Sequence, residues 1–151
     1  MANLVKSFLS KDELKAVADA ITETERHTSG EIRVAIRQKR AKHERGLSVE
    51  QLARLEFAKL GMMKTADRTG VLLLVLVEAR EFYILADEHI NERVAPKTWD
   101  GIAKVMAEKF AKAEYRDGLL AAVRSVGEHL TLHFPVRKGD RNELPNDVAL
   151  S

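Results

Sequence analysis

Apolar positions along the chain fall into seven stretches that switch between helical and extended periods. Leu14, Val17, Ala18 and Ile21 recur at helical spacing behind Ser10-Lys11-Asp12-Glu13, a capping box in which Ser10 accepts from the third helical amide and Glu13 reaches back. This predicts a helix over 11–27, with Phe8 or Leu9 as its staple and Thr28-Ser29-Gly30 as its stop, Gly30 being free to take positive φ. Positions 31–37 alternate polar and apolar residues with β-branched side chains inward, the pattern of a strand with one wet face. Ser48-Val49-Glu50-Gln51 is a second capping box, ahead of Leu52, Leu55, Phe57, Ala58 and Leu60, and predicts a helix running to Gly61. Asp67-Arg68-Thr69-Gly70 is a turn signal. The run 71–77 is apolar on both faces, as a central buried strand should be. A short connection, Glu78-Ala79-Arg80, leads into a returning strand over 81–86, closed by Asp87-Glu88-His89. Ile102, Val105, Met106 and Phe110 predict the next helix, with Thr98 as its N-cap. Leu119, Val123, Val126, Gly127, Leu130 and Phe134 predict the last, stopped by Pro135.

The order α-β-α-β-β-α-α predicts an α/β class fold, a three-layer α/β/α sandwich. Its central mixed sheet should hold one βαβ unit with a right-handed crossover and one hairpin, with helices on both faces. The chain of 151 residues reads as a single domain over 1–151, with a core over about 8–135 and an irregular tail over 136–151.

Composition narrows the chemistry. With no cysteine, disulfides, thiol nucleophiles and thiolate metal sites are excluded. A net charge of +2, from 25 basic and 23 acidic residues, is too small to point to nucleic acid as a partner. The longest apolar run is far shorter than the roughly 20 residues a membrane helix needs, and the first residues lack a signal-peptide pattern, so the expectation is a soluble, cytoplasmic protein with no membrane insertion. Phosphate loops, the G-x-G-x-x-G turn and the G-x-S-x-G elbow are all missing, so no nucleotide cofactor is expected.

The topology itself brings groups together. If the first two strands are parallel and the third returns beside the second, Glu31, Asp67, Asp87 and Glu88 converge on one sheet edge. Clustered carboxylates suit a hard cation such as Ca²⁺ or another divalent ion, and without one they repel and at least one pKa rises. Solvated turn acids are the plainer reading, and the spacing is not that of an EF-hand loop. His129 and His133 sit one helical turn apart, a weak metal signal outweighed by an ordinary surface pair. The basic stretch 37–45 could meet phosphate, but it lacks interleaved aromatics and reads better as a solvated loop at the sheet edge opposite Asp67.

Several segments together resemble the TPM-domain family: Thr28-Ser29-Gly30-Glu31-Ile32-Arg33-Val34, Phe57-Ala58-Lys59-Leu60-Gly61-Met62, and Thr65-Ala66-Asp67-Arg68-Thr69-Gly70-Val71-Leu72. Ile84-Leu85-Ala86-Asp87-Glu88-His89-Ile90-Asn91 and Asn142-Glu143-Leu144-Pro145-Asn146 add to the likeness, which is to the short bacterial branch without signal peptide or membrane anchor. The resemblance implies an α/β/α sandwich. Some members of the family are described as acid phosphatases, some as calcium binders, and others are thought to serve complex assembly or maintenance. It carries the metal-binding expectation onto Asp67, Asp87 and Glu88, and more weakly onto Asp100. This chain departs from the family's glycine-flanked acidic loops at Ala86 and His89, which bears on catalysis more than on fold. Three functions stay open: a cation-binding accessory or interaction module with a protein partner of unknown identity, a weak metal-assisted acid phosphatase using the same loops, and a metal-free interaction domain. For the phosphatase, Arg68 is the nearest phosphate-holding group, with Lys64 and Arg93 as helpers.

Overall fold

A computed structural model describes residues 7–64, 68–136 and 145–151. In chain order the elements are α1 (Lys11–Glu25), β1 (Glu31–Arg37), α2 (Val49–Lys59), β2 (Gly70–Leu76), β3 (Glu81–Ala86), α3 (Glu88–Asn91), α4 (Pro96–Ala111), α5 (Tyr115–His133) and β4 (Ala149–Leu150). Single 3₁₀ turns lie at Lys42–Glu44 and Met62–Lys64.

Both capping boxes form. The Ser10 hydroxyl accepts from Glu13 N at 3.1 Å and the Glu13 carboxylate from Ser10 N at 3.0 Å. Ser48 and Gln51 do the same at 3.1 and 2.8 Å. Gly61 closes α2 at φ 74°, a conformation that is costly for a residue with a Cβ. Gly30 serves differently from the expectation. Its φ is not in the left-handed region; a Cβ there would instead stand 3.0 Å from Leu130 of α5, so the residue is small because the helix passes close by. The α4 start also differs: Pro96 occupies the first helical position behind Ala95, ahead of Thr98. Proline loses nothing there, since that N–H has no intrahelical partner.

The sheet runs β3-β2-β1-β4. β1 and β2 are parallel, from Glu31↔Gly70 to Arg37↔Leu76, and β3 returns antiparallel to β2 from Leu76↔Glu81 to Val71↔Ala86. One face carries Ile32, Val34, Ile36, Val71, Leu73, Val75 and Ile84 against α1, α4 and α5. The other carries Ala35, Leu72, Leu74, Leu76 and Leu85 against Leu52, Ala53 and Phe57 of α2 and Met62. β2 is buried along both faces, which is why its pattern is an unbroken apolar run.

The tail is not irregular throughout. Ala149 and Leu150 form β4, parallel to β1 at Ala35 and Ile36, a pairing too short for any period to announce it in sequence. Asn146 also reaches back, its side-chain amide donating to the Thr22 hydroxyl at 3.0 Å. Among the described residues no helix is long and apolar enough to cross a membrane.

Candidate functional site

The two registers bring the starts of β1 and β2 and the end of β3 to one edge. Glu31 N donates to Thr69 O at 3.1 Å, and Asp87 N to Gly70 O at 2.9 Å. The segments holding Glu31, Arg68 and Asp87 therefore lie side by side. Asp67 belongs to 65–67, outside the described residues.

Asp87 is 6% exposed and fully engaged. Arg68 grips it with two parallel bonds, Nε to Oδ2 and Nη2 to Oδ1, each 2.9 Å. Oδ1 also accepts from Glu88 N at 2.8 Å, so Asp87 caps the short α3. Bidentate geometry of this kind is among the stronger ion-pair arrangements. Arg68 sits at φ 54°, a left-handed conformation costing about 1 kcal/mol for a residue with a Cβ. The ion pair helps hold it there. Glu88 is exposed in the first turn of α3, and His89 beside it is exposed too.

Glu31, 4% exposed, has a neighbour that the sequence reading missed. Glu25, in the last turn of α1, turns its carboxylate to the same place and accepts from Ile32 N through Oε2 at 2.9 Å. The local reason is an edge. β4 pairs only with Ala35 and Ile36, so the N–H of Ile32 has no strand beside it, and a side chain takes that role. The other oxygen, Oε1, is buried with no hydrogen-bond partner among the described residues. Burial pushes the Glu25 carboxyl up to about 7; the Ile32 N–H opposes the rise, and the charge of Glu31 adds to it. The only sequence signal was an acidic residue in the last turn of a helix, where the macrodipole disfavours it.

Arg33 lies two residues beyond Glu31 on the same face of β1, and its Nε is buried without a hydrogen-bond partner among the described residues. Asp100 is exposed on α4, near enough to raise the pKa of the Tyr83 hydroxyl, after burial and Glu50. Lys64 and Arg93 are exposed. His129 and His133 are one turn apart on α5. Among the described residues no three His, Asp or Glu side chains stand together as a metal-ligand set. The edge thus offers a partly buried carboxylate pair, Glu25 and Glu31, and an arginine-bound Asp87.

A family model described as TPM domain matches residues 5–129. Among solved structures, the BA42 protein of the psychrophilic bacterium Bizionia argentinensis is 34% identical, with 95% of this chain and 96% of that one covered and a TM-score of 0.85. The N-terminal domain of a protein from P. gingivalis is 16% identical over 84% of this chain and 79% of that one, at a TM-score of 0.68. The N-terminal domain of the cg2496 protein from Corynebacterium glutamicum is 15% identical over 81% and 74%, at 0.55. These last two likenesses are of fold. No curated protein matches the chain.

Proposed function

The chain belongs to the TPM-domain family, and from that premise we propose that it is a divalent-cation-binding accessory module whose ion sits at the Glu31 edge of the sheet. One observation carries the reading: Glu25 and Glu31 withdraw two carboxylates from water side by side, and Glu25 holds its proton up to about pH 7. Two packed carboxylates are an unfavourable arrangement that a hard cation relieves. The Asp67 turn leads directly into Gly70, which is paired with Glu31, so it is the natural source of further oxygen ligands. Ca²⁺ suits such a site because it accepts mixed carboxylate, carbonyl and water oxygens in loose geometry. Glu88 is a further donor at the rim.

The phosphatase reading has less behind it. Arg68, the group that would hold the phosphate, already commits its Nε–Nη2 edge to Asp87. The accessory reading needs no such group, and it leaves the module's protein partner to be found by capture with and without the ion.

The test is a thermal melt in chelator, then with Ca²⁺ or Mg²⁺, on the wild type, Asp67→Asn and Glu31→Gln. An ion at 100 times its dissociation constant should add about 2.7 kcal/mol. For a domain of this size that raises Tm by roughly 5–10 °C. Both variants should fold and lose the rise. A melt that no divalent ion moves would overturn the proposal.

A further inference from the structure

At the opposite end of the parallel strands lies a separate feature with the opposite charge. A cavity of about 610 Å³ is lined by Lys39, Arg40, Ala41, Lys42, Arg45, Glu78 and Ala79. Two loops build it. The chain leaving β1 and the chain leaving β2 run together, with Val77 N donating to Arg37 O and Glu78 N to Gln38 O, both at 2.9 Å. This is the carboxyl end of β1 and β2, the side of an open parallel sheet on which ligands generally bind.

The loop after β1 is built rather than loose. Glu44, 7% exposed, accepts from Arg37 Nη2 at 2.6 Å and Nη1 at 3.2 Å, and also from Ala41 N at 2.8 Å. These bonds, led by that from Arg37, hold the Glu44 carboxyl down at about 2, so the clamp stays charged under all ordinary conditions. Glu56 lies 3.7 Å from the same guanidinium. Arg40 is fixed from the other side, by Leu47 O and by Glu81, each at 2.9 Å. Arg37, Arg40 and Glu44 are therefore used up in holding the backbone. Lys39, Lys42 and Arg45 are not: among the described residues their side chains have no ion-pair partner, and all three are exposed at the cavity. Glu78 is the one carboxylate in the lining. A solvated loop, the plainer reading of the sequence, would not need a buried clamp beneath it.

We infer that this cavity binds a small phosphorylated molecule, with Lys39, Lys42 and Arg45 meeting the phosphate. Unpaired cations on a pre-ordered loop lose little freedom on meeting an anion, and an arginine among them can meet two phosphate oxygens at once. The volume exceeds what a bare phosphate needs and falls in the range of small-molecule sites, so the organic part of the ligand sits against Ala41 and Ala79. The inference is independent of the cation site at the other sheet edge.

The experiment is an amide NMR titration in chelator with inorganic phosphate, pyrophosphate and phenyl phosphate as probes, and with sodium chloride matched for ionic strength. Shifts should cluster at 38–47 and 77–80. Phenyl phosphate should bind more tightly than inorganic phosphate, because only it uses the rest of the cavity. Lys42→Ala/Arg45→Ala should weaken binding by about tenfold or more, since each exposed charge is worth roughly a three- to tenfold factor. Lys97→Ala/Lys104→Ala, two exposed lysines of α4, should leave it unchanged. Shifts spread over every basic surface, equal effects with sodium chloride, or a double variant that binds as well as the wild type would overturn the inference.

Discussion

Glu25 is the residue where local structure and function pull against each other. It caps an edge N–H that the short β4 leaves open, and to do so it gives up much of its hydration. Its folded pKa of about 7 lies above the ordinary glutamate value of 4.5. The folded state thus holds a proton that the unfolded chain has released between those values, so stability falls as pH rises from 4.5 through about 7. Glu25→Gln keeps an acceptor for Ile32 N and removes the titration. In chelator it should stabilise the protein at pH 8 by about 1–2 kcal/mol, a figure discounted for partial exposure, and change little near pH 4. Urea melts at the two pH values check this; equal effects at both would show that Glu25 is not the titrating group. Arg68 shows the same economy at the neighbouring loop, where a strained backbone and a buried Asp87 are met by one side chain.

At the scale of elements, α1 and α5 pack at close range. Gly127 of α5 faces Thr24 of α1, and a Cβ there would run into the Thr24 methyl. The backbones of the two helices approach because one partner has no side chain. Gly127→Ala should therefore destabilise by about 1–3 kcal/mol despite alanine's better helix propensity. Thr24→Ser in the same chain should recover part of the loss by removing the methyl, and denaturant melts of the single and double variants measure both. A neutral or stabilising Gly127→Ala would show that α1 and α5 have room for a methyl group between them. The same packing explains Gly30, whose place is set by Leu130 of α5.

The whole molecule separates its charges by topology. Carboxylates gather where β1 and β2 begin, and free cations where they end, although the net charge is only +2. The two ends should respond to pH differently. On the proposed cation-binding reading, an ion at the Glu31 edge would compete with the Glu25 proton, so Ca²⁺ should raise Tm more at pH 8 than at pH 6. The melt series across that range measures it, and an ion effect independent of pH would place the ion away from Glu25. Phosphate binding at the opposite end should lack that Glu25-linked dependence, because lysine and arginine keep their charge throughout.

Strand and helix identities were legible from the chain because each rests on short-range periodicity: two capping boxes, an alternating β1, an apolar β2 and a short hairpin connection, which spans 77–80 rather than 78–80. The face of β1 expected to be wet is instead covered, with Glu31 4% and Ala35 1% exposed, because α2 packs on that side of the sheet. The parallel β1–β2 pairing followed from chain order, and with it the meeting of Glu31 with the Asp87 loop. Which acids share that edge was not legible in full. Glu25 comes to Glu31 across the turn from α1, and Arg68 takes Asp87 out of the cluster. β4 was missed because two paired residues carry no period. The basic stretch 37–45 looked uniform in sequence, yet Arg37 and Glu44 clamp the loop while Lys39, Lys42 and Arg45 line the cavity with no ion-pair partner among the described residues. Pattern along a chain reports which face of an element is buried. It does not report which charged side chain finds a partner, since that depends on distances set only when the layers pack.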